Sequence, residues 1–149
     1  MTYLKSFKKG FTLVEMLLVL TAISVLAGIG IPVYYTIQGR NDMDMSVQTA
    51  VLSLRRAQLL STGSSGNSVW GVYFATGTAT VFRGTSYISR NTTYDEVNDI
   101  GTTTAPSGLN NITYSKVYGR PSVTGTITIR STANETRNIT INQKGTISY

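Results

Sequence analysis

From Phe11 to Ile31 the chain runs for 21 residues with a single ionisable side chain, Glu15. At ~1.5 Å rise per residue a helix of that length is roughly 30 Å long, enough to cross a bilayer core. That length and apolarity predict a membrane span. One carboxylate near the end of the span costs a few kcal/mol in hydrocarbon, which makes Glu15 a functional candidate that needs a partner. No basic residue lies within the span; Lys8 and Lys9 lie just before it. Cutting the chain after Gly10 would create another candidate, the α-amino group of Phe11 on the same or a neighbouring subunit.

A conventional signal peptide would place a small-residue cleavage site after the apolar run, where Ala22, Ala27, Gly28 and Gly30 stand. Glu15 interrupts such an h-region, and the run is too long for one. A plain signal anchor explains the length and the lysines but leaves Glu15 unexplained.

The run Lys8-Lys9-Gly10-Phe11-Thr12-Leu13-Val14-Glu15, continued by the apolar segment to Pro32, resembles the signature of type IV prepilins and type II secretion pseudopilins. The resemblance implies cleavage between Gly10 and Phe11 by a membrane-embedded prepilin peptidase, followed by N-methylation of Phe11. It also implies an assembly role for Glu15, whose carboxylate would meet the methylated amine of a neighbouring subunit. Pro32, with Gly28 and Gly30 before it, marks a helix break. Either a simple kink or a local unwinding during filament packing fits those residues.

Charge and hydropathy then divide the chain. The expected segments are a leader at 1–10, a transmembrane assembly helix at 11–32, an amphipathic stalk helix at 33–61 and a globular β-sheet domain at 62–149. Of the formal net charge of +6, three units belong to Lys5, Lys8 and Lys9 in the leader, leaving +3 for the mature chain. Those lysines hold the N-terminus in the cytoplasm, and Arg40, Asp42 and Asp44 beyond the span sum to −1, so the expected topology is N-in, C-out. That places the chain in a bacterial inner membrane as a single-pass protein, and afterwards in a periplasmic or extracellular filament. Cysteine and histidine are absent, so no disulfide staples the domain and no His- or Cys-based catalytic constellation exists. The chain reads as a substrate of enzymes, not as an enzyme, and calls for no cofactor.

In the stalk, Ile37, Met43, Val47, Ala50, Val51, Leu54 and Ala57 recur at three- and four-residue steps, which predicts one helix face laid on the domain. Ser61-Thr62-Gly63 supplies a stop. Beyond it, Val69–Phe74 and Thr78–Phe82 read as a hairpin, and 124–130, 137–142 and 146–149 read as strands by their period-two alternation. One-sided alternation predicts an antiparallel sheet packed on the helix through one face only. The fold class is therefore α+β, a pilin fold in which a long N-terminal helix, half transmembrane and half amphipathic, packs on an antiparallel β-sheet domain.

A second resemblance covers the mature chain more loosely. The segment Ala50 to Gln58, Trp70-Gly71-Val72-Tyr73, Val81-Phe82-Arg83, Gly119-Arg120, Arg137 to Asn142 and Lys144-Gly145-Thr146-Ile147 are similar to the H-type minor pseudopilins and related minor pilins. The implied partners are other pilin or pseudopilin subunits, the prepilin peptidase and methyltransferase, an inner-membrane assembly platform and membrane lipid. Some minor pilins of this kind capture DNA, and here Arg120, Arg130, Arg137 and Lys144 are the candidate contacts to nucleic acid. The final turn lacks the paired arginines that those binders carry. Ser86 to Ser107 shows no periodicity, and its Asp95, Glu96 and Asp99 are weak calcium candidates without the ligand spacing of a calcium loop. A secretion pseudopilus and a type IV pilus share leader, stalk and fold, so both stay open.

Overall fold

The computed structural model describes residues 10–101, 104–131 and 134–149, with side chains at 29–32 and 104–105 left out. The leader lysines lie outside the described residues, as does the side chain of Pro32. The chain divides into two units, 1–38 and 39–149.

One helix, α1 (Leu13–Thr62), supplies the described part of the first unit beyond Thr12 and enters the second. Every residue from Phe11 to Gly28 is exposed, including Leu13 at 76% and Leu26 at 72%. This stretch is long and apolar enough to cross a membrane. Two hydroxyls inside the helix are satisfied by the helix itself: Thr21 donates to the Leu18 carbonyl and Ser24 to that of Leu20, both at 2.8 Å. Such back-bonding lets polar side chains stay in an apolar segment without an unpaired donor. The helix assignment continues across Pro32.

In the second unit the amphipathic face does what its spacing predicts, from Met43 onward. Met43, Val47, Ala50, Val51, Leu54 and Ala57 are buried. Ile37, expected on the same stripe, is 55% exposed and belongs to the first unit. Buried serines complete the face and tie strands to it. Ser46 donates to the Ile100 carbonyl, Ser53 accepts from Asn98 at 3.1 Å, and Ser61 accepts the Trp70 N–H at 2.8 Å. Each of these three serine hydroxyls is thus paired, and its small size lets the strands approach closely. The helix ends at Gly63, whose N–H reaches the Leu59 carbonyl, followed by left-handed Ser64.

The described strands form two antiparallel sheets. Strands β1 (Trp70–Ala75), β2 (Thr78–Arg83), β3 (Asn91–Asp99) and β5 (Asn111–Tyr114) make one, in the order β3-β2-β1-β5. Strands β4 (Thr104–Gly108), β6 (Gly125–Ser131), β7 (Thr136–Ile141) and β8 (Ile147–Ser148) make the other, in the order β4-β6-β7-β8. Both contribute to one core with α1: Val72, Phe74, Val81 and Ile112 from the first sheet, and Ile127, Ile129, Ile139 and Ile141 from the second.

The expected hairpin and C-terminal strands are present, and the second sheet keeps the one-sided burial read from its alternation. In the first sheet burial is two-sided. Phe82 and Thr80 are buried on the face away from the helix, where Tyr87 stacks on Tyr73 at 3.9 Å and meets Phe82 edge-on at 5.6 Å. The Arg90 guanidinium lies 3.7 Å above the Tyr87 ring and pairs with Asp95 at 2.8 Å. Segment 84–90 therefore folds back over the outer face. Gly71 leaves room for this packing, since a Cβ there would stand 2.7 Å from Phe82 and 2.6 Å from the Ile112 carbonyl oxygen. The aperiodic stretch 86–107 contains β3 and all but the last residue of β4. Strand β3 is an edge strand with most residues exposed or half-buried, so no apolar face betrays it.

Candidate processing and assembly site

Helix α1 begins at Leu13 with a reciprocal cap. Thr12 accepts the Glu15 N–H on its hydroxyl at 3.2 Å, and Glu15 accepts the Thr12 N–H on Oε2 at 3.4 Å. This is the Thr-x-x-Glu capping box, which pairs two backbone donors that a helix start leaves free. This partner is an uncharged backbone N–H, and the three-residue spacing of Thr12 and Glu15 is its signal in the sequence. The carboxylate therefore bends back along the helix and rests beside the positive end of the helix dipole.

Gly10 and Phe11 precede the helix, and Phe11 is 77% exposed. A Cβ added at Gly10 would meet nothing within 4 Å. The Gly10–Phe11 peptide bond is thus open and non-helical, as a proteolytic site must be. Nothing within the described chain requires glycine there, so a demand for glycine has to come from whatever approaches the bond. Cleavage would leave the Phe11 amine one residue from the N–H that Glu15 already accepts.

The other candidates are scattered. Period two puts Asp95 and Glu96 on opposite faces of β3, and each has its own cation. Asp95 pairs with Arg90, and Glu96 pairs with Arg56 of the helix at 3.0 Å. These hydrogen bonds raise both guanidinium pKa values. Asp99 accepts the Gly101 N–H at 2.7 Å. Among the described residues no three acidic side chains gather in a way that would hold a metal ion.

The four basic candidates also do not converge. Arg137 is in register with buried Ile129 and faces the helix, where it sits 3.7 Å from Asp44 and 3.5 Å from Glu135. Arg130, one position along β6 from Ile129, projects from the opposite face. Lys144 lies in the β7–β8 turn, where Asn142 accepts its N–H at 2.9 Å. Arg120 lies after β5 with its guanidinium 5.9 Å from the Tyr118 ring centre.

A family model described as the prokaryotic N-terminal methylation motif matches residues 5–31. No curated protein and no solved structure matches the chain. The matched residues take in the open Gly10–Phe11 bond, the capping box and the exposed apolar stretch from Phe11 to Gly28. The chain carries the prokaryotic N-terminal methylation motif of type IV prepilin-like proteins, on a long helix packed against antiparallel sheets in the manner of the pilin fold.

Proposed function

We propose that this chain is a structural subunit of a type IV pilus or type II secretion pseudopilus, cut after Gly10 and N-methylated at Phe11. It waits in the inner membrane, N-in and C-out, and then assembles with other pilin-like subunits on an inner-membrane platform. The observation that carries this reading is the methylation motif at 5–31, set on a helix whose apolar side chains from Phe11 to Gly28 are exposed. Leaving that surface in water is unfavourable by ~25 cal/mol per Å², so it calls for lipid or for the helices of other subunits. A minor, H-type role is the finer form of the proposal and rests on the sequence resemblance in the second unit.

Processing is the direct test. Mass spectrometry of the mature chain is expected to show Phe11 as the first residue, carrying one methyl group. Gly10→Val is expected to leave an uncut precursor, visible as a heavier band. A Gly10→Val chain that matures normally would overturn the cleavage assignment.

A further inference from the structure

Between β5 and β6 the chain makes a tight loop that is fixed from several sides. Ser115 N–H donates to the Arg120 carbonyl at 2.8 Å, and Gly119 N–H to the Ser115 carbonyl at 3.0 Å. Helix α1 grips the loop near its own C-terminal end: Val117 N–H reaches the Ser61 carbonyl at 3.2 Å, and Gln58 donates to the Gly119 carbonyl at 3.0 Å. At the apex Tyr118 N–H donates to the Lys116 carbonyl at 2.7 Å across Val117, whose φ is +68°. That is the strained kind of γ-turn, a poor conformation for a β-branched residue, and it persists only where the surroundings impose it. Its effect is to hold Val117 and Tyr118 out in solvent, at 65% and 76% exposure, where neither adds to the core.

Cations surround that apex. Lys116 and Arg120 flank it, and both are exposed. Exposed Lys144 comes from the β7–β8 turn, which packs on the loop: a Cβ at Gly145 would stand 2.8 Å from the Gly119 carbonyl oxygen. Arg120 and Lys144 each adjoin this contact, whereas Arg130 and Arg137 lie along β6 and β7. None of the three cations at the apex is neutralised by an acid. No acidic side chain occurs in 57–94, 100–134 or 136–149. Among the described residues Lys116 donates to Asn67 alone, at 3.2 Å to Oδ1 and 3.4 Å to the carbonyl, and Arg120 lies 5.9 Å from the Tyr118 ring centre. Four acids of this unit are engaged elsewhere, Asp95 with Arg90, Glu96 with Arg56, and Asp44 and Glu135 with Arg137.

We propose that this end of the domain docks on an anionic lipid surface. Val117 and Tyr118 enter the boundary between headgroups and acyl chains, while Lys116, Arg120 and Lys144 meet the headgroup phosphates. Tyrosine suits that depth, because its ring is apolar and its hydroxyl stays wet. A nucleic-acid strand is served by a basic groove with stacking rings; here the cations surround a protruding aliphatic and aromatic pair. Each cation near an anionic surface contributes about fivefold to binding, so three supply roughly a hundredfold. The site is separate from the apolar stretch of α1 and needs no filament.

Full-length chain held by its apolar helix in nanodiscs of phosphatidylcholine can meet a second bilayer through this loop. Such discs are expected to sediment with heavy vesicles of phosphatidylcholine containing about one-third phosphatidylglycerol, and not with vesicles of phosphatidylcholine alone. Added salt is expected to weaken the capture. Lys116→Gln, Arg120→Gln and Lys144→Gln together are expected to lower it roughly a hundredfold, while Arg130→Gln, which removes a charge elsewhere, leaves it unchanged. Val117→Ser with Tyr118→Ser keeps all three cations and is expected to weaken capture several-fold. The added emission of Tyr118→Trp is expected to be quenched by bromine on the vesicle acyl chains. Equal capture by both kinds of vesicle, undiminished capture by the triple variant, or unquenched Tyr118→Trp overturns the proposal. So does capture that inorganic phosphate abolishes at constant ionic strength, which means a free-anion site. Binding of duplex DNA by discs that ignore the anionic vesicles overturns it too, and means a nucleic-acid surface.

Discussion

The capping contact of Glu15 and the assembly role proposed for it can be separated by a pair of substitutions. In the structure its carboxylate completes a capping box through one hydrogen bond of 3.4 Å. Removing such a cap costs about 1 kcal/mol, or roughly a fivefold change in an equilibrium. As a charge near the end of an apolar helix, the same carboxylate is unfavourable in lipid by about 3 kcal/mol until it meets a cation. On the filament reading that cation is the Phe11 amine of a neighbour, and about 3 kcal/mol is more than a hundredfold in incorporation. The pairing only has to displace one long hydrogen bond to a neutral N–H, so the cap is a resting position and not a competitor.

Glu15→Gln keeps an acceptor for the Thr12 N–H, since glutamine also serves in capping boxes, but removes the charge. Glu15→Val removes both. Both variants are expected to insert and to be cut normally, and both are expected to fall about a hundredfold in sheared filament fractions if the charge drives assembly. Quantitative immunoblotting of filament against membrane fractions reads the ratio. Wild-type incorporation of Glu15→Gln beside a roughly fivefold loss for Glu15→Val would refute the charge mechanism and leave the carboxylate a helix cap.

Three further outcomes follow from the second unit. Deleting residues 1–40 is expected to leave a soluble folded domain, because its core is internal to 39–149; a disordered circular dichroism spectrum would contradict that. Gly145→Ala is expected to destabilise this fragment by about 2 kcal/mol, or roughly 10 °C in melting temperature. Its φ is +80° and an added Cβ would stand 2.8 Å from the Gly119 carbonyl oxygen, so an unchanged melting temperature would refute the packing. Tyr114 is fully buried with no partner for its hydroxyl among the described residues, and burial pushes its phenol pKa upward. An acid with a raised folded pKa contributes stability that is full below the unfolded value near 10 and is lost as pH rises above it. Tyr114→Phe is expected to be as stable as wild type at neutral pH or about 1 kcal/mol more so, and to flatten the alkaline limb of the melting profile. Steeper alkaline loss in the variant would show the reasoning to be wrong.

Periodicity made the second half of α1 and strands β6 and β7 legible in the sequence, because each buries one face, while the β1–β2 hairpin was legible as two β-rich runs around Ala75-Thr76-Gly77. It failed where burial follows another rule. Strand β3 is an edge that buries little, so Asn91 to Asp99 looks like a polar loop. Once it is a strand, adjacent Asp95 and Glu96 must diverge, which disperses the cluster that suggested calcium. Two-sided burial in the first sheet depends on Tyr87 returning to Tyr73, a pairing that no local pattern announces. Arg130 and Arg137 looked like members of one basic set, yet the register sends them to opposite faces. At the candidate processing site Gly10, Phe11 and Glu15 are readable as a motif, and the partnership of Thr12 with Glu15 is written in the same residues as a Thr-x-x-Glu spacing.

The two units solve opposite physical problems with one continuous helix. After Gly39, serines and alanines on the buried stripe let two sheets close on the helix, and that part of the chain satisfies itself. Before it, side chains from Phe11 to Gly28 bury nothing, and the segment depends on its surroundings for stability. A purely apolar segment would be content in lipid and would gain little by leaving it. Glu15 changes that balance, because its charge is poorly served by lipid and only weakly served by the Thr12 N–H. An environment of packed helices offering a cation satisfies both the apolar surface and the acid. On the filament reading, the single charge would thereby supply the free-energy difference that favours transfer from membrane to assembly.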